Sequence, residues 1–289
     1  MFVKMLKRWL LFALFASPAL GQSVSIQAPS DASAGKAVAL RTTGSGGATF
    51  YMLGPSHILK KNIELGGDLE IAGSDVTSSG WYQAVVCVSS DCVSKEFYVR
   101  PGTPARLSFL LHPSRVPVSA PNAINATALV FDQFQNTVLV PSPVEFHFSL
   151  AGTAPFTRKQ TTTRGIAWLQ MGSTAKQGPL EVVALVGEIS EPRVIRQVAS
   201  EACALRMTAT SNARNVRVQT DPIRDCSGNP LPDGTIVSFT KIDRAGRSTV
   251  DTPIKKGIAI AQFSVAGPSR ISIACGVVLG NEISIGGGQ

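Results

Sequence analysis

The sequence predicts an all-β protein made of three tandem antiparallel sandwiches, and three observations carry that expectation. The middle and last thirds repeat one pattern: Asp132-Gln-Phe-Gln-Asn136, Val144-Glu-Phe146 and Gly165-Ile-Ala167 return as Asp225-Cys-Ser-Gly-Asn229, Val237-Ser-Phe239 and Gly257-Ile-Ala259. The Asp-to-Asn, Asn-to-Val and Val-to-Phe spacings are identical in both copies, so the register holds across most of a domain. Short segments alternating between apolar and polar residues recur every ten residues or so, and no stretch after the first 21 residues sustains helical periodicity beyond two turns. Finally, 289 residues at about 100–150 per domain leave room for two or three domains, and the repeat favours three.

Residues 1–21 read as a secretory signal peptide. Lys4, Lys7 and Arg8 form a basic start, Trp9-Leu-Leu-Phe-Ala-Leu-Phe-Ala16 an apolar run, and Ala19 and Gly21 the small residues before a cut that leaves Gln22 first. The run is about half of what a bilayer-spanning helix needs. The expectation is an exported chain, secreted or periplasmic, with no membrane insertion after cleavage. Loss of the three basic residues takes Lys plus Arg from 27 to 24 against 19 acids, and the formal charge from +8 to +5. The remaining cations are scattered, which argues against nucleic acid as a partner.

The first domain is expected over 22–100, with strands suggested by Val24-Ser-Ile-Gln27, Ala37-Val-Ala-Leu40, Thr49-Phe-Tyr-Met-Leu53, Trp81-Tyr-Gln-Ala-Val-Val-Cys87 and Val93-Ser-Lys-Glu-Phe-Tyr-Val99. Pro101-Gly-Thr-Pro104 marks a stiff boundary before the second domain, 101–200. The third domain, 201–289, follows near Ala199-Ser-Glu-Ala202, where no glycine or proline supplies slack. In it Ala259, Ala261, Phe263 and Val265 fall on one strand face and Ile260, Gln262 and Ser264 on the other. A stiff three-unit rod is the expected arrangement.

The second and third domains resemble the bacterial immunoglobulin-like repeats of invasins and intimins. The residues that carry the resemblance are Gly102-Thr-Pro-Ala105, the Asp132–Asn136 and Asp225–Asn229 turns, the Val-x-Phe strands and the Gly-x-Ala strands. The second domain departs from the pattern with Gln135 where the turn glycine would sit. In the first domain Ser79-Gly-Trp-Tyr-Gln-Ala84 is similar to the Gly-x-Tyr phrase of immunoglobulin folds, which makes Tyr82 the corner tyrosine. The resemblance implies an immunoglobulin-like fold and a structural spacer or adhesion role at the cell envelope, with a protein or glycan partner. Its motifs are turn and core residues, and fold does not specify function.

Catalytic and metal chemistry find little support. His57, His112 and His147 lie in separate neighbourhoods, none two to five residues from another His or Cys. Nucleophile elbows and phosphate-cradling loops are missing from the sequence, so neither an enzyme nor a cofactor is expected. Asp221, Asp225, Asn229 and Asp233, spaced by four, have the oxygens for calcium, but Asp and Asn also cap their own turns. Tyr51, Trp81, Tyr82, Tyr98 and Trp168 are read as strand residues that pack. An exposed aromatic patch on one domain would instead favour an accessory module for carbohydrate or extended peptide.

The five cysteines are an odd number for an oxidising compartment. Cys87 and Cys92 are equidistant from a turn between Ser89 and Ser90, which predicts a disulfide across a hairpin. Cys203 and Cys226 are symmetric about Arg214-Asn215, which predicts a second and leaves Cys275 as a half-buried free thiol. A Cys226–Cys275 bridge joining the two sheets remains open as the alternative.

Overall fold

The computed structural model describes residues 23–212 and 215–286, so the expected leader and the expected new N-terminus at Gln22 lie outside the described residues. The chain divides into two compact units, Met1–Gly102 and Thr103–Gln289, and the fold is all-β throughout.

The first unit holds β1 (Ser25–Gln27), β2 (Ala32–Ser33), β3 (Val38–Thr43), β4 (Gly47–Leu53), β5 (Ile58–Glu64), β6 (Asp68–Ile71), β7 (Gly80–Val88) and β8 (Asp91–Arg100), with one 3-10 turn at Gly73–Asp75. They form a three-stranded sheet in the order β1-β3-β6 and a five-stranded sheet in the order β2-β8-β7-β4-β5. β2 runs parallel to β8. Period-two alternation in β3, β4 and β7 sends Leu40, Phe50, Met52, Tyr82, Ala84 and Val86 inward. β5, with Lys60 and Lys61 side by side, lies at the edge of its sheet and is half-exposed along its length, so it carries no apolar period to read.

Tyr82 is buried, stacks on Phe97 at 5.6 Å between ring centroids, and donates its hydroxyl to the Ser78 carbonyl at 3.0 Å. Burial pushes the phenol above its ordinary pKa, against the opposing hydrogen bond to Ser78. A Cβ at Gly54 would come within 2.4 Å of the Tyr82 ring, so that position has room for glycine alone.

The second unit contains two sandwiches with separate cores. The earlier is built from β9 (Arg106–His112), β10 (Arg115–Pro117), β11 (Ile124–Phe131), β12 (Pro143–Leu150), β13 (Phe156–Thr161), β14 (Ile166–Met171), β15 (Gly178–Val186) and β16 (Ile189–Val198). Sheet β9-β11-β14 faces sheet β10-β16-β15-β12-β13 across Phe109, Phe146, Phe148, Leu180 and Ile195. The later sandwich comprises β17 (Ala202–Cys203), β18 (Met207–Asn212), β19 (Asn215–Thr220), β20 (Arg224–Asp225), β21 (Ile236–Asp243), β22 (Gly246–Pro253), β23 (Ile260–Ser264), β24 (Ser269–Cys275) and β25 (Val278–Ile285). Its sheets are β18-β19-β23 and β22-β21-β24-β25, with the short β17-β20 pair at one end.

Both copies of the repeat fold into the same turn. Asp132 Oδ1 accepts from the Phe134 and Asn136 amides at 2.9 Å, and Asp225 Oδ1 accepts from Ser227 and Asn229 at 2.9 and 2.8 Å. Gln135 takes φ +69° where its counterpart Gly228 takes φ +84°, so the missing glycine leaves the turn geometry intact. Arg164-Gly165 and Lys256-Gly257 likewise share positive φ at both positions, the geometry of tight primed turns. A Cβ at Gly165 would meet Thr137 Cγ2 at 2.2 Å.

A left-handed backbone strains a residue with a Cβ, while glycine gives up more entropy on folding. Gln135→Gly is therefore expected to stabilise the second unit by about 0.5–1 kcal/mol in urea unfolding. A loss of stability would show that Gln135 is held in that conformation by contacts worth more than the strain.

Candidate interaction site

The outward face of the five-stranded sheet in the first unit is laid out by strand register. Trp81 lies opposite Tyr98. The next row is Glu96, Gln83, Leu53 and Ile58, and the one after it Ser94, Val85, Tyr51 and Lys60. Cys92 and Cys87 close the grid beside Thr49. Tyr51, Leu53, Val85, Trp81 and Tyr98 therefore share one side with Ile58, and Gln83, Glu96 and Lys60 lie among them. Trp81 is 67% and Ile58 68% exposed. Trp81 and Tyr98 meet edge to face at 5.3 Å, and Lys60 Nζ lies 5.5 Å from the Tyr51 ring centre. A smaller exposed group, Leu110, Thr127 and Trp168 in one row with Ile166 beside it, sits on sheet β9-β11-β14 of the second unit.

The expected aromatic positions thus separate. Tyr82 goes inside and Trp81 outside, because adjacent strand residues point to opposite faces. That parity, legible in the Trp81-Tyr82 pair, is the signal that identifies the exposed face.

Two disulfides are present. Cys87 and Cys92 are register partners at a Cα separation of 4.1 Å, across the Ser89-Ser90 turn. Cys203 bonds Cys226 with the Cα atoms 4.9 Å apart. The register partner of Cys203 is Arg224, because the β18-β19 hairpin pairs Asn212 with Asn215 and is centred one residue earlier than the symmetry of the two cysteines suggests. Cys226 lies beyond β20 and reaches Cys203 from the turn. Cys275 is a free cysteine, 5% exposed, and burial raises its thiol pKa.

The Asp225 turn also joins the two sandwiches of the second unit. Asp225 Oδ2 accepts from the Ser200 amide at 3.0 Å. Asn229 Nδ2 donates to the Ala175 carbonyl at 2.8 Å and to both Asp225 oxygens, while Asn229 Oδ1 accepts from the Gln177 amide at 3.0 Å. Ser119 and Ser227 hydroxyls are 2.9 Å apart. Burial would raise the Asp225 pKa, yet the hydrogen bonds from Asn229, Ser200 and Ser227 outweigh it and hold the carboxyl below its ordinary value.

These bonds engage both Asp225 oxygens and Asn229 Oδ1, two of the four side chains that the sequence offers to calcium. Asp233 Oδ1 accepts from the Gly257 amide at 3.4 Å. Among the described residues, no three His, Cys, Asp or Glu side chains gather as a metal site, and no helix is long and apolar enough to cross a membrane.

No family model matches the chain, and no curated protein matches it. Solved structures do match. FdeC, an Escherichia coli adhesin, is 13% identical with a TM-score of 0.62, over 92% of this chain and 96% of that one. Invasin, a bacterial integrin-binding protein, is 13% identical with a TM-score of 0.55, and the match covers 91% of this chain and 60% of invasin. Yersinia pseudotuberculosis InvD is 11% identical with a TM-score of 0.51, over 91% and 96%. At these identities the likeness is one of fold, that of the tandem immunoglobulin-like sandwiches of bacterial adhesins.

Two outcomes follow from this chemistry. Asp225 has a lowered pKa when folded, so its contribution is complete above the ordinary aspartate value of about 3.9 and is lost as pH falls through the lower folded value. Asp225→Asn should destabilise the second unit by about 2 kcal/mol at neutral pH, with the gap to the parent protein closing below pH of about 4; an equal gap at both ends would count against a charged clamp. Thiol titration without reductant should find no reactive cysteine in the native protein and a single one, Cys275, after unfolding. A Cys226–Cys275 peptide in non-reducing mapping would overturn the pairing.

Proposed function

We propose that the chain is an exported, non-catalytic immunoglobulin-like repeat protein of the bacterial cell envelope, acting as an adhesion or interaction module with the spacing built into its tandem sandwiches. In this reading the domains run over 22–100, 101–200 and 201–289, and the chain works outside the cytoplasm, secreted or periplasmic. The outward Trp81, Tyr98, Leu53 and Ile58 face carries the proposal, because large apolar groups gathered on one sheet face of a soluble fold mark a contact surface. Two disulfides fit an oxidising compartment. Among the neighbouring folds, FdeC is described as an adhesin and invasin as integrin-binding. By that analogy the partner is a protein or glycan at a cell surface.

One observation favours a second reading. Trp81, Tyr98 and Tyr51 on one face, with Gln83 and Glu96 among them, offer both ring faces and hydrogen-bonding groups, the combination by which a carbohydrate is held. An accessory ligand-binding module for carbohydrate or extended peptide would use the same surface.

The test is binding of the purified protein to whole cells and to a glycan array. Trp81→Ser with Ile58→Ser, at positions too exposed to support the core, should reduce cell binding at least about tenfold, as loss of central interface anchors does. Trp168→Ser should leave it unchanged. Specific array binding that the same pair of substitutions abolishes would select the carbohydrate reading. Cell binding unaffected by the pair would remove this face from the proposal.

A further inference from the structure

A cleft of about 920 Å³ runs between the two sandwiches of the second unit. One wall is a single register row across three strands: Arg115 on β10 pairs with Arg196 on β16, which pairs in turn with Pro179 on β15. Val194 extends this wall, and the Pro230–Asp233 turn of the later sandwich faces it with Leu231 and two prolines. Among the described residues, no aromatic side chain lines the cleft.

The charge arrangement is the informative part. Like charges directly opposite on neighbouring strands destabilise a sheet, yet Arg115 and Arg196 stand in register. Neither belongs to any of the ion pairs among the described residues, which use Arg41, Arg100, Arg193 and Arg270 among the arginines. One carboxylate, Asp233, shares the cleft lining, and its Oδ1 faces the Gly257 amide. Glu181, one register row along β15, is outside the lining. Two arginines in register, neither in an ion pair among the described residues, offer guanidinium donors that suit a carboxylate.

The surroundings are built rather than loose. Behind Arg196 the Gln197 side chain is buried, accepts from the Thr174 amide at 2.7 Å, and donates to Thr174 Oγ1 and the Lys176 carbonyl at 2.7 and 3.1 Å. The Asn229 bonds to Ala175 and Gln177 tie the two walls together. A ligand therefore meets a preorganised site.

We propose that this cleft binds an acidic peptide segment, with one carboxylate bridging Arg115 and Arg196 and an aliphatic side chain lying on Pro179, Val194 and Pro232. Aliphatic and proline walls without an aromatic face suit a peptide side chain better than a sugar ring. The inference rests on the reading of the chain as an interaction module, but on a different surface from the Trp81 face.

The experiment is fluorescence polarisation of a labelled peptide of alternating Leu and Glu on the full mature protein, beside its Leu-Lys counterpart and tetragalacturonate. Saturable binding of the acidic peptide is expected. It should weaken at least about tenfold with Arg115→Gln and Arg196→Gln together and fall as salt rises from about 50 to about 500 mM. Both arginines are exposed, and a thermal midpoint no lower than that of the parent verifies that the variant is folded. No saturable binding up to about 1 mM peptide, equal binding by the Leu-Lys peptide, or affinity unaffected by the two substitutions would overturn the proposal. Binding of tetragalacturonate in place of the peptide would also overturn it, assigning the cleft to an anionic glycan. Trp81→Ser should leave peptide binding intact, so failure at the cleft and failure at the sheet face are read separately.

Discussion

The second unit depends on a buried carboxylate that must collect its own hydrogen-bond donors. Asp132 and Asp225 are 0% and 3% exposed, and a charge removed from water without compensation costs several kcal/mol. Each therefore holds two amides of the following turn, together with the side-chain amide of the Asn four residues on. The turn lies where the chain leaves one sheet for the other: after β11 on the way to β12, and after β19 on the way to β21. Fixing it fixes the crossing. Among the described residues the first unit has no such carboxylate, and its five-stranded sheet is tied instead by the Tyr82 hydroxyl, the fit of Tyr82 over Gly54 and the Cys87–Cys92 bridge.

The two Asp-Asn turns share a backbone, and the Asp225–Asn229 turn also reaches beyond its own sandwich. Asn229 adds bonds to Ala175 and Gln177 in the preceding sandwich. Asp225 adds the amide of Ser200 in the connecting segment, and Cys226, inside the turn, is bonded to Cys203 just past that segment. At Asp225–Asn229 the motif that closes a sandwich thus also carries a junction. The absence of glycine and proline near residues 199–202 has a physical counterpart here: the connecting backbone is itself a hydrogen-bond partner of the turn.

How much of this was legible follows from the range of each interaction. Period-two alternation and the Asp-to-Asn spacing are local, so the fold class and the two turns could be read directly. The Trp81-Tyr82 pair also held the exposed face in outline, since one of two adjacent strand residues must point outward. The junction was hidden because nothing in Asp-x-x-x-Asn says which distant backbone groups its side chains reach, and Ala175 lies 54 residues before Asn229. Hairpin symmetry failed in a smaller way, placing the centre of the β18-β19 pair one residue late, because a bridge from a turn residue need not respect strand register. Arg115 and Arg196 are 81 residues apart in the chain, and only the parallel pairing of β10 with β16 sets them side by side.

The two candidate surfaces also differ in what the fold has to give up. The Trp81 face lies on strands whose opposite sides fill the core with Phe50, Met52, Tyr82 and Phe97, so its outward residues can vary without weakening the sandwich. The Arg115–Arg196 row is different, because two like charges in register cost stability whenever the cleft is empty. The cost is modest for exposed groups, which water and salt screen. A carboxylate would remove it, between walls that the Asn229 bonds already tie together. The sheet face therefore offers area, and the cleft a charge requirement, so selectivity for one sign of ligand belongs to the cleft.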